Sequence, residues 1–310
     1  MPSFQALFVF LFKRHRFAET TILKMRPIIV LAFLSFFMAP LVAQTVKSTS
    51  KPFVLGVTNE IQSKQLNEKR LINIYLPEGY KENDTTRYNV VYLLDGGADE
   101  DFIHVAGLFQ FNNFPWINRV PKSIVVGIAN VDRKRDLSYP TTIATDKKNY
   151  PTTGGSEKFI AFIEKDLQPY IEQKYKTTTS KMIIGQSLGG LLATEILLKK
   201  PTLFNKYIII SPSIWWDNGS LLTLQSDLLS ESFTQKTDIY IGCGKEGLAP
   251  CDTPHVMEVD ANLLTEKIRG SKSKSVHVSF DYLPEEDHAT VGHIALFNAL
   301  RILYPVAEKK

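Results

Sequence analysis

The segment IIGQSLGGLLA, residues 183 to 193, contains one serine, Ser187, in the pattern Gly-x-Ser-x-Gly. An apolar run leads into this pattern, and an amphipathic helical pattern follows it directly. A strand, a tight turn and a helix in this order can hold a serine hydroxyl on a strained turn as a nucleophile. Because a serine hydroxyl is a poor nucleophile near neutral pH, an imidazole must take its proton and a carboxylate must orient the imidazole.

Two later loops offer these partners. Glu246 follows the apolar run DIYIGC, and His288 follows the run VHVSFDYLP. The chain order of serine, acid and histidine is the one found with a nucleophile on a strand-to-helix turn. Asp252 and Glu258 remain alternatives for the acid, and His293 remains an alternative for the base.

The same chemistry requires donors for the anion that forms on the attacked carbonyl oxygen. The backbone N–H of Leu188, directly after the serine, is one predicted donor. The turn LLDGG after an early apolar run supplies the second, with Gly97 as first choice and Gly96 as the next. A site of this kind needs neither a metal nor an organic cofactor.

Apolar runs and helical periodicity predict the strands and helices that must position the serine, the acid and the histidine. Residues 58 to 77 predict an antiparallel hairpin, and apolar runs such as YNVVYLL, SIVVGI and KYIII predict strands buried on both faces. Helical patterns lie between these runs, and Pro169 predicts a kink or break within one of them. The alternation predicts one doubly wound α/β domain, mostly parallel, from residue 46 to the end.

The N-terminus predicts a secretory signal peptide over residues 1 to 43. Met25-Arg26-Pro27 precedes the short apolar stretch IIVLAFLSFFM, and Leu41-Val42-Ala43 suits cleavage. Met25 is also the better candidate for the true start. The predicted location is therefore periplasmic or secreted, and an N-terminal membrane anchor is the alternative.

Charge argues against nucleic acid as a partner. The chain has 310 residues and a formal net charge of +4, but residues 1 to 43 hold five basic residues and one acidic residue, which leaves 31 of each in the remainder. Phosphate binding needs clustered lysine and arginine. A neutral mature chain without a basic stripe does not meet that need.

The two cysteines, Cys243 and Cys251, leave two alternatives open. In an oxidising compartment they could pair across a short loop. With His255 they could also form part of a zinc site, although a fourth ligand is missing from the pattern.

Several motifs resemble a known family: YLLDGG, DRKRDLSYP, FIEKDLQPYIEQKY, GQSLGGLLATEILLKKPTLFNKYIIISPSIWWD and DHATV. Together they are similar to the "putative esterase" branch of the α/β-hydrolase fold, which includes esterase D-like enzymes, siderophore trilactone esterases, feruloyl and acetyl xylan esterases and mycolyltransferases. The motif Ser-Pro-Ser-x-Trp-Trp looks closest to the siderophore-esterase subgroup.

The resemblance implies Ser187 as nucleophile and His288 as base. It also implies that Arg135 faces the substrate and that Trp215 and Trp216 line the acyl pocket. A salt-bridged arginine and core tryptophans are the alternatives.

Two features depart from the resemblance. Gln186 stands where histidine is common, and members of the subgroup work with only a serine and histidine pair, which leaves the role of Glu246 open. The predicted protein is a serine esterase acting through an acyl-enzyme on a siderophore lactone or another exported ester. A feruloyl or acetyl polysaccharide esterase, an acyltransferase and a catalytically silent binding scaffold are the alternatives.

Overall fold

The computed structural model describes residues 48–83 and 85–305. The chain divides into two compact units, Met1–Pro52 and Phe53–Lys310, and the second unit carries the elements given below. The predicted signal peptide, the alternative start and the cleavage site lie outside the described residues. The location of the protein and the domain boundary at residue 46 therefore stay predictions.

Eight strands form one sheet in the described part of the chain, in the order β1-β2-β4-β3-β5-β6-β7-β8. The strands are β1 (Val57–Gln62), β2 (Lys69–Tyr75), β3 (Tyr88–Leu93), β4 (Ser123–Ile128), β5 (Thr177–Gln186), β6 (Lys206–Ile210), β7 (Thr237–Gly244) and β8 (Val276–Leu283). β1 and β2 form an antiparallel hairpin, and β2 pairs antiparallel with β4. The strands from β3 to β8 are parallel, which confirms the predicted architecture.

Central strands are buried on both faces because helices cover both sides of the sheet. All six residues of β4 are buried. Ile124 and Val126 pack in one apolar cluster, whereas Val125 packs in a second cluster on the other face. Burial of such a side chain contributes about 1.5–3 kcal/mol, which explains why the parallel strands are continuous apolar runs.

The helices are α1 (Phe102–Asn112), α2 (Arg133–Leu137), α3 (Ala144–Asn149), α4 (Ser156–Phe162), α5 (Gln168–Lys174), α6 (Leu188–Lys199), α7 (Ser220–Thr223), α8 (Met257–Arg269) and α9 (Val291–Leu303). Residues 189–198 of α6 are all buried, so tertiary packing holds this helix tightly against the sheet. None of the helices in the described residues is long and apolar enough to cross a membrane.

Pro169 produces the predicted irregularity. Between α4 and α5 the segment Ile163–Leu167 is π-helical, and the backbone N–H of Gln168 donates to the Ile163 carbonyl. Proline has no N–H to donate, and its ring clashes with the carbonyl four residues earlier. The wider turn before Pro169 therefore lies between two α-helical segments, and helical structure continues through the proline.

Candidate active site

The backbone at Ser187 is strained in the manner of a nucleophile elbow. Ser187 has φ 59° and ψ −118°, and it is the one residue between β5 and α6. Such a conformation costs a non-glycine residue about 1–3 kcal/mol and persists only where the surroundings enforce it. The Ser187 N–H donates to the Ile210 carbonyl at 3.0 Å, and the Ser213 N–H donates to the Ser187 carbonyl at 3.1 Å. Both bonds hold the turn against the loop after β6.

The glycines around the serine are required by close backbone approach. A Cβ on Gly185 would lie 2.3 Å from the Gly189 carbonyl oxygen, and a Cβ on Gly190 would lie 2.9 Å from Pro212 Cα. A Cβ on Gly189 would approach Asp95 Oδ2 at 3.2 Å. The Gly-x-Ser-x-Gly pattern therefore reflects contacts between β5, α6 and two neighbouring loops.

Three predicted residues meet at this turn. His288 Nε2 lies 3.1 Å from Ser187 Oγ, and His288 Nδ1 lies 2.5 Å from Glu246 Oε2. Ser187 follows β5, Glu246 follows β7 and His288 follows β8, so all three lie at the carboxyl edge of the parallel sheet. This arrangement has the connectivity of a hydroxyl, imidazole and carboxylate triad.

The carboxylate of Glu246 is deeply buried and well supplied with donors. Its side chain is 2% exposed, whereas that of His288 is 46% exposed. Ser211 Oγ donates to Oε1, and the Gly244 N–H donates to the same oxygen at 3.2 Å. Burial alone would raise the pKa of Glu246, but hydrogen bonds from His288 and Ser211 hold this pKa below its ordinary value. The carboxylate is thus ionised beside the imidazole.

The structure places the alternative acids and base elsewhere. Glu258 accepts hydrogen bonds from the N–H groups of Glu246 and Gly247, so it supports the acid loop. Asp252 lines a small cavity beside Trp215. His293 Nδ1 lies 2.8 Å from His104 Nε2 instead of reaching the serine.

Gln186, which departs from the family pattern, holds the histidine loop. Its Nε2 donates to the His288 carbonyl at 2.8 Å. A Cβ on Gly292 would lie 2.4 Å from Gln186 Oε1, so the glycine makes room for this amide. Gln186 therefore helps to hold the loop that carries His288, the predicted base.

The predicted anion donors differ in what their N–H groups contact. Leu188 opens α6, where the first N–H groups of a helix have no partner within the helix. The Gly97 N–H donates to Glu100 Oε2 at 2.6 Å, and the Glu100 side chain is exposed. The Gly96 N–H donates to the Ile128 carbonyl at 2.9 Å. Gly96 is thus tied to the neighbouring strand end and is the poorer donor for a substrate.

Arg135, which the resemblance implied to be near the substrate, is held in a cluster of ion pairs. Its guanidinium contacts Glu68 at 2.7 Å and Asp136 at 2.7 Å, and the same carboxylates hold the buried Arg70. A role for Arg135 at the substrate stays a prediction. The alternative of a salt-bridged arginine describes it.

Arg133, two residues earlier, lies beside the nucleophile turn and was missed from the sequence. Its Nε and Nη2 contact the two carboxylate oxygens of Asp95 at 2.6 and 2.9 Å, and Nη2 lies 3.4 Å from the Gln186 carbonyl. Asn130 donates to the same carboxylate at 2.6 Å. DRKR offers two arginines in one short helix, and only tertiary contacts distinguish them.

The two tryptophans occupy different environments. Trp216 is 1% exposed, and its Nε1 donates to the Tyr139 carbonyl at 2.8 Å. It is a core residue, so the expectation that it lines an acyl pocket is wrong. Trp215 borders a small cavity with Asp146 and His255, and its substrate role stays a prediction.

Both cysteines are free thiols in this structure. Cys243 Sγ donates to Glu246 Oε1 at 3.4 Å, and burial raises the pKa of this thiol. His255 contacts Asp260 at 2.8 Å. No group of three potential ligand side chains could hold a metal ion among the described residues, so Cys243, Cys251 and His255 do not form the zinc site considered from the sequence.

A parallel doubly wound sheet with a nucleophile elbow at its carboxyl edge defines an α/β-hydrolase. The model of the "Putative esterase" family matches residues 63–288. The chain belongs to this family, and it is a carboxylic ester hydrolase.

Similar proteins include several siderophore esterases. The ferri-bacillibactin esterase BesA of Bacillus subtilis is 28% identical over 275 residues, which cover 83% of this chain and 93% of that protein. The siderophore triacetylfusarinine C esterase of Aspergillus fumigatus is 36% identical over 165 residues, which cover 50% of this chain and 55% of that protein.

Among solved structures, an IroE-like serine hydrolase from Shewanella oneidensis matches with a TM-score of 0.70 and 32% identity over 80% of each chain. The BES protein from Bacillus cereus matches with a TM-score of 0.68 and 25% identity, covering 84% of this chain and all of that one. These matches confirm the α/β-hydrolase fold predicted from the sequence.

Proposed function

We propose that this protein is a serine esterase that cleaves the ester bonds of a siderophore through an acyl-enzyme on Ser187. The observation that carries this proposal is the contact between Ser187 Oγ and His288 Nε2 at 3.1 Å on a strained elbow. A hydroxyl in this position is presented to a substrate and has a base within proton-transfer distance.

In the acylation step, Ser187 Oγ attacks the ester carbonyl carbon while His288 Nε2 takes the hydroxyl proton. Glu246 keeps Nδ1 protonated, so Nε2 is the nitrogen that is free to accept. The carbonyl oxygen becomes an anion, and the N–H of Leu188 stabilises it. The N–H of Gly97 joins when Glu100 turns away. The imidazolium then protonates the departing alcohol as the carbon–oxygen bond breaks.

In the deacylation step, water replaces the alcohol. His288 Nε2 takes a proton from the water as its oxygen attacks the acyl carbon, and the proton then returns to Ser187 Oγ. The released acid and the free serine complete the cycle. Arg133 holds Asp95 at the end of β3, next to the anion donors, and so keeps that loop in place.

A siderophore substrate is supported by the names of the relatives. One relative is a ferri-bacillibactin esterase and another is a siderophore triacetylfusarinine C esterase. We further propose export from the cytoplasm, because the N-terminal sequence has the features of a cleaved signal peptide. A secreted protein that begins at Met1 would contradict cleavage after Ala43.

The proposal is tested with p-nitrophenyl acyl esters and a serine-directed fluorophosphonate. We expect the protein to hydrolyse the esters and to be labelled, and Ser187→Ala to lose both properties. Removal of such a nucleophile lowers turnover on the order of 10⁶-fold. Mass spectrometry of cyclic triester siderophores after incubation then identifies which esters are opened.

Ser213→Ala is the matched control, since Ser213 Oγ lies only 3.5 Å from Ser187 Oγ. No base activates Ser213 in the arrangement above, so this variant should keep its fluorophosphonate label. An unlabelled and inactive parent protein, or full activity in Ser187→Ala, would refute the serine mechanism.

A further inference from the structure

The Gly97 N–H, one of the predicted anion donors, is occupied by a carboxylate of its own chain. Glu100 Oε2 accepts this hydrogen bond at 2.6 Å. The other carboxylate oxygen, Oε1, accepts from Asn130 Nδ2 at 2.7 Å. Donors from two loops thus hold both oxygens of Glu100, although this residue is exposed. A negatively charged oxygen therefore lies at the N–H where the oxyanion of a substrate is expected.

The backbone around Gly97 brings the carboxylate to this position. The Glu100 N–H donates to the Gly97 carbonyl at 3.1 Å, which closes a turn over residues 97–100. A Cβ on Gly97 would lie 2.7 Å from Glu100 Oε2, which is closer than a carbon and an oxygen can approach without a bond. The contact therefore depends on glycine at position 97.

The turn that carries Gly97 is fixed, whereas the Glu100 side chain lies at the surface. The Gly96 N–H donates to the Ile128 carbonyl at 2.9 Å, and the Gly96 carbonyl accepts from the buried Asn73 at 2.8 Å. Donors that are already fixed stabilise a developing anion well, because they need no reorganisation during the reaction. The Gly97 N–H is therefore suited to an oxyanion once Glu100 has left it.

The same turn packs against the nucleophile elbow. A Cβ on Gly189, two residues after the nucleophile, would lie 3.2 Å from Asp95 Oδ2. Arg133 pairs with Asp95 and lies 3.4 Å from the Gln186 carbonyl, so it joins the turn to the residue before the nucleophile. The contact between Glu100 and Gly97 is therefore part of the site.

Neighbouring charges oppose the position of the Glu100 carboxylate. Burial, and after it the charges of Asp95 and Glu100, raises the pKa of Asp101. Glu100 and Asp101 therefore repel each other when both are ionised. Arg133 opposes this effect, and it is already paired with Asp95. Glu100 is thus held by its hydrogen bonds against this repulsion, which makes the carboxylate easier to displace.

We propose that Glu100 is a self-inhibitory residue whose carboxylate competes with the substrate oxyanion for the Gly97 N–H. This inference rests on the proposed ester hydrolysis at Ser187 and adds a control of that reaction. While the carboxylate is in place, the Leu188 N–H is the predicted donor that remains for the oxyanion. The rate of acylation then scales with the fraction of the enzyme in which the Gly97 N–H is free.

Glu100→Ala tests this competition. We expect kcat/KM for p-nitrophenyl acetate and the second-order rate constant of fluorophosphonate labelling to rise together, by about five- to tenfold. Both reactions place negative charge on an oxygen beside Ser187, so both gain the second donor. Glu100→Gln should give a smaller rise of about two- to threefold, because its amide oxygen can still accept from Gly97 but carries no charge.

Phenylboronic acid gives a readout that does not depend on turnover. Ser187 Oγ adds to the boron, the serine proton passes to His288 Nε2, and one boron hydroxyl takes the position of the oxyanion. Such an adduct resembles the transition state and needs the same donors. We expect its dissociation constant, measured by calorimetry, to fall about five- to tenfold in Glu100→Ala.

Asp99→Ala is the matched control, because Asp99 is exposed on the same turn. This variant removes the same charge one residue away, while Glu100 still accepts from Gly97. We expect the labelling rate and the affinity for phenylboronic acid to change by less than about twofold, since solvent screens an exposed charge.

An unchanged or lower labelling rate in Glu100→Ala, or an unchanged affinity for phenylboronic acid, would overturn the competition while ester hydrolysis stands. An equal rise in Asp99→Ala would overturn it as well, because the effect would then come from charge alone. A parent protein that neither hydrolyses p-nitrophenyl esters nor takes the fluorophosphonate label would instead overturn the proposed function, and this inference with it.

Discussion

At the residue scale, the contact of Glu246 with His288 is what separates a serine, histidine and acid triad from a site with only a serine and a histidine. Its carboxylate contacts His288 Nδ1 directly and is held from the other side by Ser211. The serine, the acid and the histidine were all predicted from chain order. Their contacts span 42 and 101 residues of sequence, so the choice among three acids needed the fold.

We expect Glu246→Gln to lower kcat on the order of 10⁴-fold, because an amide does not hold the imidazole in the required tautomer. Steady-state hydrolysis of a p-nitrophenyl ester measures this change.

The hydrogen bonds that lower the pKa of Glu246 also make its carboxylate stabilise the folded state above about pH 4.5. The stability advantage of the parent protein over Glu246→Gln should therefore diminish as the pH falls through the lowered pKa.

Asp252→Asn is the control for the predicted loss of kcat in Glu246→Gln, since Asp252 lies in the same loop and was an alternative acid. We expect its kcat to stay within about twofold of the parent value. Unchanged turnover in Glu246→Gln would show that Ser187 and His288 suffice as a pair.

At the element scale, the junction of β5 and α6 is the feature most clearly encoded in local sequence. The apolar run, the Gly-x-Ser-x-Gly pattern and the helical periodicity all lie within residues 182–199. α1 was missed, because its residues are apolar on most sides and periodicity does not distinguish them from a buried strand. Ile103 and Phe111 of α1 are exposed, which weakens its amphipathic pattern further.

Gly185→Ala should destabilise the protein by about 2 kcal/mol or more and reduce esterase activity at least about 10²-fold. The added Cβ would meet the Gly189 carbonyl oxygen at 2.3 Å, so β5 and α6 must separate and Ser187 must move. Urea unfolding and ester hydrolysis measure the two effects.

Gly107→Ala is the matched control, because a Cβ on Gly107 in α1 would have no atom within 4 Å. We expect this variant to gain up to about 1 kcal/mol of stability, since alanine is the better helix former. If Gly185→Ala and Gly107→Ala changed stability and esterase activity equally, this result would contradict the close packing at the elbow.

At the scale of the whole molecule, the buried Arg70 of β2 connects the hairpin to the helices α2 and α4. Its side chain is fully buried, with Nη1 at 2.8 Å from Asp136 and 2.7 Å from Glu68. The guanidinium also lies 4.9 Å from the centre of the Phe159 ring. Two of its nitrogens have no hydrogen-bond partner, so the ion pairs are what compensate for burying the charge.

We expect Arg70→Met to lower the free energy of unfolding by about 3 kcal/mol, because Asp136 would keep a buried negative charge with less compensation. Chemical denaturation measures the change. Lys69→Met is the neighbouring control: Lys69 pairs with Glu60 at 2.6 Å, but its side chain is 67% exposed. That variant should change stability by less than about 1 kcal/mol.

The sequence by itself predicted Ser187 as the nucleophile, and it determined the strand and helix around this serine and the parallel α/β architecture. These features depend on local periodicity, on glycines next to the serine and on apolar runs, all of which can be identified from neighbouring residues. Only the tertiary structure decided that Glu246 meets His288, that Arg133 rather than Arg135 lies at the elbow, and that Trp216 is core. These outcomes depend on contacts between loops that are distant in the chain.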